Sequence, residues 1–192
     1  MADETQTSIP LLIVPGTGNS GPDHWQSHWE RAYDRARRMT QDDWSNPFCA
    51  DWIEAFDHAL AYFSEPVLLI GHSAGTMTII HWAAHHERPI HGALLVAPTD
   101  FESEIEGFPS PDIMADAGWA PIPRQRLPFP SIVVASTNDP FVRIDRAEEF
   151  ARAWGSRFIN IGAKGHINAD AGFGPWPEGE QLLKKLLSMQ RQ

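Results

Sequence analysis

The chain has 192 residues and a mass of 21.5 kDa, with 25 acidic against 15 basic side chains and a formal net charge of −10. That length suits a single domain with a substantial core, and 42% hydrophobic residues exclude a disordered acidic tail. The negative balance excludes the basic face that nucleic-acid binding needs, and a lone Cys excludes an intramolecular disulfide and a multi-Cys zinc site.

The N-terminal stretch Met1–Ser8 is acidic and polar, unlike the positive start and apolar run of a signal peptide. The apolar runs Leu11–Val14, Val67–Ile70 and Ala93–Ala97 fall far short of the ~18 residues of a membrane span. A cytoplasmic protein is expected, with neither membrane nor nucleic acid as partner.

Along the chain, buried strands alternate with amphipathic helices. Ile9–Val14 is an apolar run ending at Pro15-Gly16, the signature of a strand buried on both faces. Pro22 suits a first helical position, with Trp25, Trp29, Ala32, Tyr33 and Ala36 following at helical spacing. Arg37–Gln41 reads as a short strand on weak patterning. Trp52, Phe56, Ala59, Leu60 and Phe63 mark a second helix. Strands follow at Pro66–Gly71, His91–Ala97, Ile132–Ser136 and Arg157–Ile161. Helices are read at Ala74–His86, around Ala147–Trp154 and around Leu182–Leu187. This alternation predicts one α/β domain over 1–192, its core at 9–187, built on a mainly parallel sheet flanked by helices without a large cap.

Pro98–Pro130 breaks the rhythm. It holds seven of the sixteen prolines and reads as a helix-containing insertion beside the active site, or equally as a plain crossover connection.

The chemistry begins at Val67-Leu-Leu-Ile-Gly-His-Ser-Ala-Gly75. There Gly71-x-Ser73-x-Gly75 ends an apolar strand and opens a helix. A nucleophilic Ser must project from a sharp turn, and glycines two residues to either side relieve its crowding. Such a Ser needs a base, and the base an orienting acid, in the chain order Ser, acid, His. Asp139, in Asn138-Asp-Pro-Phe141, and His166, in Gly165-His-Ile-Asn168, follow the fourth and fifth clearly patterned strands in that order. All three fall at strand C-terminal ends, where open α/β sheets bind ligands. Asp100 is the second choice of acid.

The oxyanion donors are expected to be the N–H of Ala74 and that of Thr17, in the loop after the first strand. His24, just beyond that loop, is a candidate lining residue. Phe141, Phe173 and Trp176 flank the acid and His loops, as pocket lining or as core. The loop's Gly16-x-Gly18-x-x-Gly21 also fits a dinucleotide fingerprint, but no clear second strand ends in an acid about 20 residues later. The His-x-x-x-His pairs at His24/His28 and His81/His85 lack the Glu after the first His that a zinc-protease helix carries, so no metal and no cofactor is expected. Cys49 reads as a small packed residue, and His72 as pointing away from Ser73.

Taken together, Pro15-Gly-Thr-Gly with Asp23-His-Trp25, Gly71-His-Ser-Ala-Gly75, Ala97-Pro98, Asn138-Asp-Pro-Phe141, Gly165-His-Ile-Asn168 and Gly172-Phe-Gly-Pro-Trp-Pro177 resemble the small serine hydrolases similar to retinoblastoma-binding protein 9. The resemblance spans roughly Ile9 to Leu187. It implies a compact α/β-hydrolase fold, with Ser73 as nucleophile, Asp139 as acid and His166 as base. The Leu-x-Cys-x-Glu motif of pocket-protein partners is missing, since the sole Cys stands in Pro47-Phe-Cys-Ala-Asp51, and no protein partner is carried over. The expected activity is acyl-enzyme hydrolysis of a small ester, thioester or amide. The alternative is a catalytically idle protein-binding module on the same fold.

Overall fold

The computed structural model describes residues 7–189, so most of the acidic N-terminal start read above for targeting lies outside it. Six strands form one sheet: β1 (Leu11–Val14), β2 (Ala36–Arg38), β3 (Leu68–His72), β4 (Gly92–Val96), β5 (Ser131–Ala135) and β6 (Arg157–Asn160). Their order is β2-β1-β3-β4-β5-β6, and every neighbouring pair is parallel. The helices are α1 (Trp25–Ala32), α2 (Cys49–Ala61), α3 (Ala74–Ala83), α4 (Pro111–Asp116), α5 (Ile144–Trp154) and α6 (Pro177–Ser188).

The sequence pattern explains the layers. β1, β3, β4 and β5 are buried at every position, because a parallel sheet covered on both faces hides both sets of alternating side chains. Leu12, Val14, Leu69, Leu95 and Val133 point into one core with Trp52, Ile80 and Phe150 of α2, α3 and α5. Leu11, Ile13, Ile70, Leu94 and Val134 point into the other with Trp25 and Trp29 of α1 and Leu183 of α6.

Three boundaries differ from the sequence reading. α1 starts at Trp25 rather than Pro22, because the His24 Nδ1 accepts the Gln26 N–H and caps the helix there. Ala36, read as helical, is the first residue of β2. That strand is an edge, only partly buried and carrying two arginines, so its hydrophobic signal is faint. α2 starts three residues before Trp52, at the buried Cys49.

The Pro-rich segment 98–130 holds one short helix, α4, and is well packed. Phe101, Met114, Trp119, Ile122, Leu127 and Phe129 are buried in the first core. The Trp119 indole N–H donates to the Pro47 carbonyl at 2.7 Å, and the His81 Nε2 meets the Trp119 carbonyl at 3.1 Å. Thr99, at its start, and the Gly107–Phe108 portion reach the cleft described next.

Candidate active site

The chain runs outward from β1 to β2 and then crosses back to β3, so the sheet's switch point lies between β1 and β3. In open α/β sheets ligands bind at this point, beyond the strand C-termini. Thr17 follows β1, Ser73 follows β3, Thr99 follows β4, Asp139 follows β5 and His166 follows β6. A cleft of about 560 Å³ opens there, with Thr17, His24, Ser73, Thr99, Phe141 and His166 among its walls. That volume is in the range of small-molecule sites, roughly 300–1,000 Å³.

Ser73 sits at the turn with φ 56° and ψ −128°, a left-handed conformation rare for a side chain bearing a Cβ. Its surroundings require the flanking glycines. A Cβ on Gly75 would lie 2.1 Å from the Val14 carbonyl oxygen, and one on Gly71 would lie 2.8 Å from Ile79 Cδ1. A Cβ on Gly16 would lie 2.6 Å from the Cβ of Ser73, so the loop after β1 packs directly against the elbow. Ala74 is the first residue of α3, where backbone N–H groups have no helical acceptor. Among the described residues neither the Ala74 nor the Thr17 N–H has a hydrogen-bond acceptor within the protein.

On the facing side, the His166 Nδ1 lies 2.9 and 3.0 Å from the two carboxylate oxygens of Asp139. Asp139 is fully buried at its side chain and also accepts the Phe141 N–H at 2.9 Å. With Nδ1–H given to the carboxylate, the His166 Nε2 is the free acceptor. The Ser73 hydroxyl is hydrogen-bonded to the Thr99 hydroxyl at 3.2 Å rather than to His166. Ser73 and His166 line the same cleft, and catalytic hydrogen bonds are commonly looser before substrate binds.

The His166 loop is held from several directions. The Trp25 indole N–H donates to the Ile167 carbonyl at 2.9 Å. The Asn138 side-chain oxygen accepts the Gly165 N–H at 2.7 Å, and the Ser136 hydroxyl accepts the Lys164 N–H at 2.8 Å. His72 adds a fourth support: its Nε2 lies 2.9 Å from the His166 carbonyl. Burial keeps this imidazole neutral by pushing its pKa well below the ordinary value. His72 thus supports the His166 backbone and lines the cleft, a role its place beside Ser73 did not reveal.

The other candidates separate clearly. Asp100 is buried, yet it faces away from His166. Its carboxylate takes hydrogen bonds from Arg146 at 2.9 and 3.2 Å and from the Ser103 hydroxyl at 2.6 Å. Burial alone would raise its pKa, but these partners hold it below the ordinary carboxylate value. His24 lines the cleft, 4.8 Å from the His72 ring; burial, with Arg38 and His166 nearby, lowers its pKa to about 4. Phe141 lines the cleft with its ring edge-on to His166 at 4.5 Å. Trp176, expected to line the substrate pocket, instead belongs to the second core. It is buried, stacks on Trp29 and meets Trp25 edge-on, because the loop into α6 turns it inward beneath the sheet. Phe173 packs against it from outside. Cys49 is buried, and burial pushes its thiol up to about 12. Among the described residues no three His, Cys, Asp or Glu side chains are grouped to hold a metal ion. Nor is any described helix long and apolar enough to cross a membrane.

A roomier cavity, about 800 Å³, lies at the opposite end of the sheet among Arg126, Pro128, Ser131 and Arg157. It contains no nucleophile–base pair and sits at strand N-termini, so the chemistry assigns the site to the smaller cleft.

A wholly parallel sheet with a strained Ser at the β3–α3 turn defines a protein of the α/β-hydrolase class. The chain belongs to the family described as serine hydrolase, whose pattern it matches over residues 11–185. It is similar to a YdeN-like hydrolase of Pectobacterium atrosepticum, with 34% identity, a TM-score of 0.82, and 93% of this chain and 90% of that one covered. The ydeN gene product of B. subtilis superposes with a TM-score of 0.78 at 18% identity, covering 95% of this chain and 100% of that one. Est1E from Butyrivibrio proteoclasticus, solved with ferulic acid bound, gives 0.68 at 12% identity, covering 96% and 88%. These last two speak for the fold alone. A search of curated proteins found no match.

Proposed function

We propose that this hydrolase cleaves a small ester, thioester or amide through an acyl-enzyme on Ser73, in the manner of a carboxylesterase. The observation that carries the reading is the placement of Ser73, on its strained turn, in one cleft with the buried Asp139–His166 pair. The motif resemblance to the small serine hydrolases related to retinoblastoma-binding protein 9 supports the same assignment.

In the first half-reaction Ser73 turns from Thr99 toward His166. The His166 Nε2 takes the hydroxyl proton as the Ser73 Oγ bonds to the acyl carbon, and the carbonyl π electrons move onto its oxygen. The N–H groups of Thr17 and Ala74 hold that oxyanion, aided by the positive end of α3. Collapse of the intermediate expels the leaving group, which receives the proton from His166. Water then gives a proton to the His166 Nε2, attacks the acyl carbon, and releases the acid and free Ser73. Asp139 holds the imidazole tautomer and stabilises its cation. No metal and no cofactor enters the cycle, and the substrate is the only partner it requires. A cytoplasmic setting suits the acidic chain and its single buried thiol.

Hydrolysis of short p-nitrophenyl esters tests the reading. Wild-type turnover, with a loss of several orders of magnitude in Ser73→Ala, is the expected result. Equal turnover by the variant would overturn it, and inactivity of both would favour the idle binding module.

A further inference from the structure

The electrostatics of the cleft wall narrow the substrate class beyond that reading, on which this inference rests. No Lys or Arg lines the cleft, while Asp170 stands on its wall, exposed and acidic. Glu106, also exposed, adjoins the lining residue Gly107. Among the described residues, cations stand near this wall but not on it. Arg38 is tied to Glu30 at 2.7 Å and to the Asn19 side chain at 2.8 Å, and Lys164 is exposed on the loop leading to His166. The two other imidazoles of the wall, His24 and His72, are buried and stay neutral. The free N–H groups of Thr17 and Ala74 favour negative charge, but they serve the scissile carbonyl oxygen. The remaining wall is neutral. Phe108, from the Pro-rich segment, packs edge-on against Phe141 at 6.0 Å and stacks on Phe101 at 5.9 Å, making an apolar side next to His166.

We propose that this cleft takes uncharged compounds with short aliphatic or aromatic acyl groups and rejects those carrying a carboxylate or phosphate, among them thioesters of phosphate-bearing carriers. A carboxylate entering it would lose hydration without gaining a counter-ion and would meet the Asp170 charge. An alkyl or aryl group of the same length would lie against Phe108 and Phe141 and gain by leaving water. The cleft's volume of about 560 Å³ sets the size limit, and the missing cation on its wall sets the charge limit.

Three p-nitrophenyl esters with a common leaving group separate charge from polarity: the butyrate, the succinate monoester and its neutral succinamate counterpart. Each is assayed at neutral pH and low salt, with fluorophosphonate labelling of Ser73 run in parallel. The expected result is a kcat/KM for the succinate at least roughly tenfold below both neutral esters, with the gap shrinking in high salt as surface charge is screened. A succinate cleaved as fast as the succinamate, by protein whose Ser73 labels, would overturn the charge selection and leave the nucleophile standing. An unlabelled Ser73 would overturn both.

Discussion

The Nε2 of His72 lies 2.9 Å from the carbonyl oxygen of His166, so the residue before the candidate nucleophile supports the backbone of the candidate base. A carbonyl can only accept, so this nitrogen carries the proton and His72 donates. The bond joins the β3 elbow to the loop after β6, two segments 94 residues apart in the chain. Replacing His72 by Ala should lower kcat by about tenfold to a hundredfold, with KM little changed, because small misplacements of a reacting group are costly. His72→Gln, which keeps a donor, should recover part of that loss. A variant that loses thermal stability but keeps kcat would show a purely structural residue.

Two acids follow central strands, and the structure gives them different work. Asp139 touches His166, so Asp139→Asn should reduce kcat by roughly 10³-fold and leave the folding transition nearly in place. Asp100 instead anchors Arg146, which also reaches Glu102 at 2.8 Å. Asp100→Ala leaves that guanidinium without its buried partner and should cost about 3 kcal/mol of stability. Paired measurements of kcat and urea midpoint check the division, and the opposite pattern would interchange the roles.

The elbow depends on the absence of a side chain at position 75. Gly75→Ala would drive a Cβ to 2.1 Å from the Val14 carbonyl and 2.4 Å from that of Pro15. Both obstacles are backbone, so relief requires moving α3 away from β1. The expected outcome is a loss of stability beyond ordinary surface substitutions, at least ~2 kcal/mol, together with loss of activity. An active, equally stable variant would contradict the described packing.

Buried imidazoles set the acid limit of the fold. Burial lowers the pKa of His24 and of His81 from 6.5 to about 4, and that of His72 well below its ordinary value. Between pH 6.5 and about 4 the unfolded chain takes up protons at these sites that the folded chain refuses. Stability is therefore full above pH 6.5 and falls as pH drops through this window. The loss is roughly 3 kcal/mol for a histidine shifted to about 4, though His24 and His72 touch and do not simply add. The carboxylates of buried Asp100 and partly buried Glu102, whose pKa values are also lowered, act in the same direction at lower pH. Thermal scans from pH 8 to 4.5 should show a plateau and then a steady decline of Tm. A Tm unchanged down to pH 4.5 would contradict it.

Much of this was legible in the chain because the relevant signals are local. Continuous apolar runs identify strands buried on two faces, and Gly-x-Ser-x-Gly between a strand and a helix places Ser73 on its turn. β2 was faint because an edge strand of Ala-Arg-Arg needs little hydrophobicity. The start of α1 was misplaced because a histidine cap competes poorly, as a sequence signal, with Pro22. Trp176 illustrates the harder case. A tryptophan in a loop near a catalytic His looks the same whether it faces the cleft or the core, and only the packing of α6 against Trp25 and Trp29 decides. The choice between Asp139 and Asp100 likewise rests on distant partners, Arg146 in particular, that spacing along the chain does not reveal. Thr99 and His72 were missed for the same reason, since each acts through a contact with a different strand's loop.

The most direct measurement is covalent labelling of the folded protein with a fluorophosphonate, read by mass spectrometry of the peptide containing Gly71–Gly75. A single adduct on Ser73, formed rapidly by the wild type, much more slowly by Asp139→Asn, and absent from Ser73→Ala, is the result this account predicts. A folded wild type that leaves Ser73 unmodified, or an adduct on another residue that survives in Ser73→Ala, would contradict it.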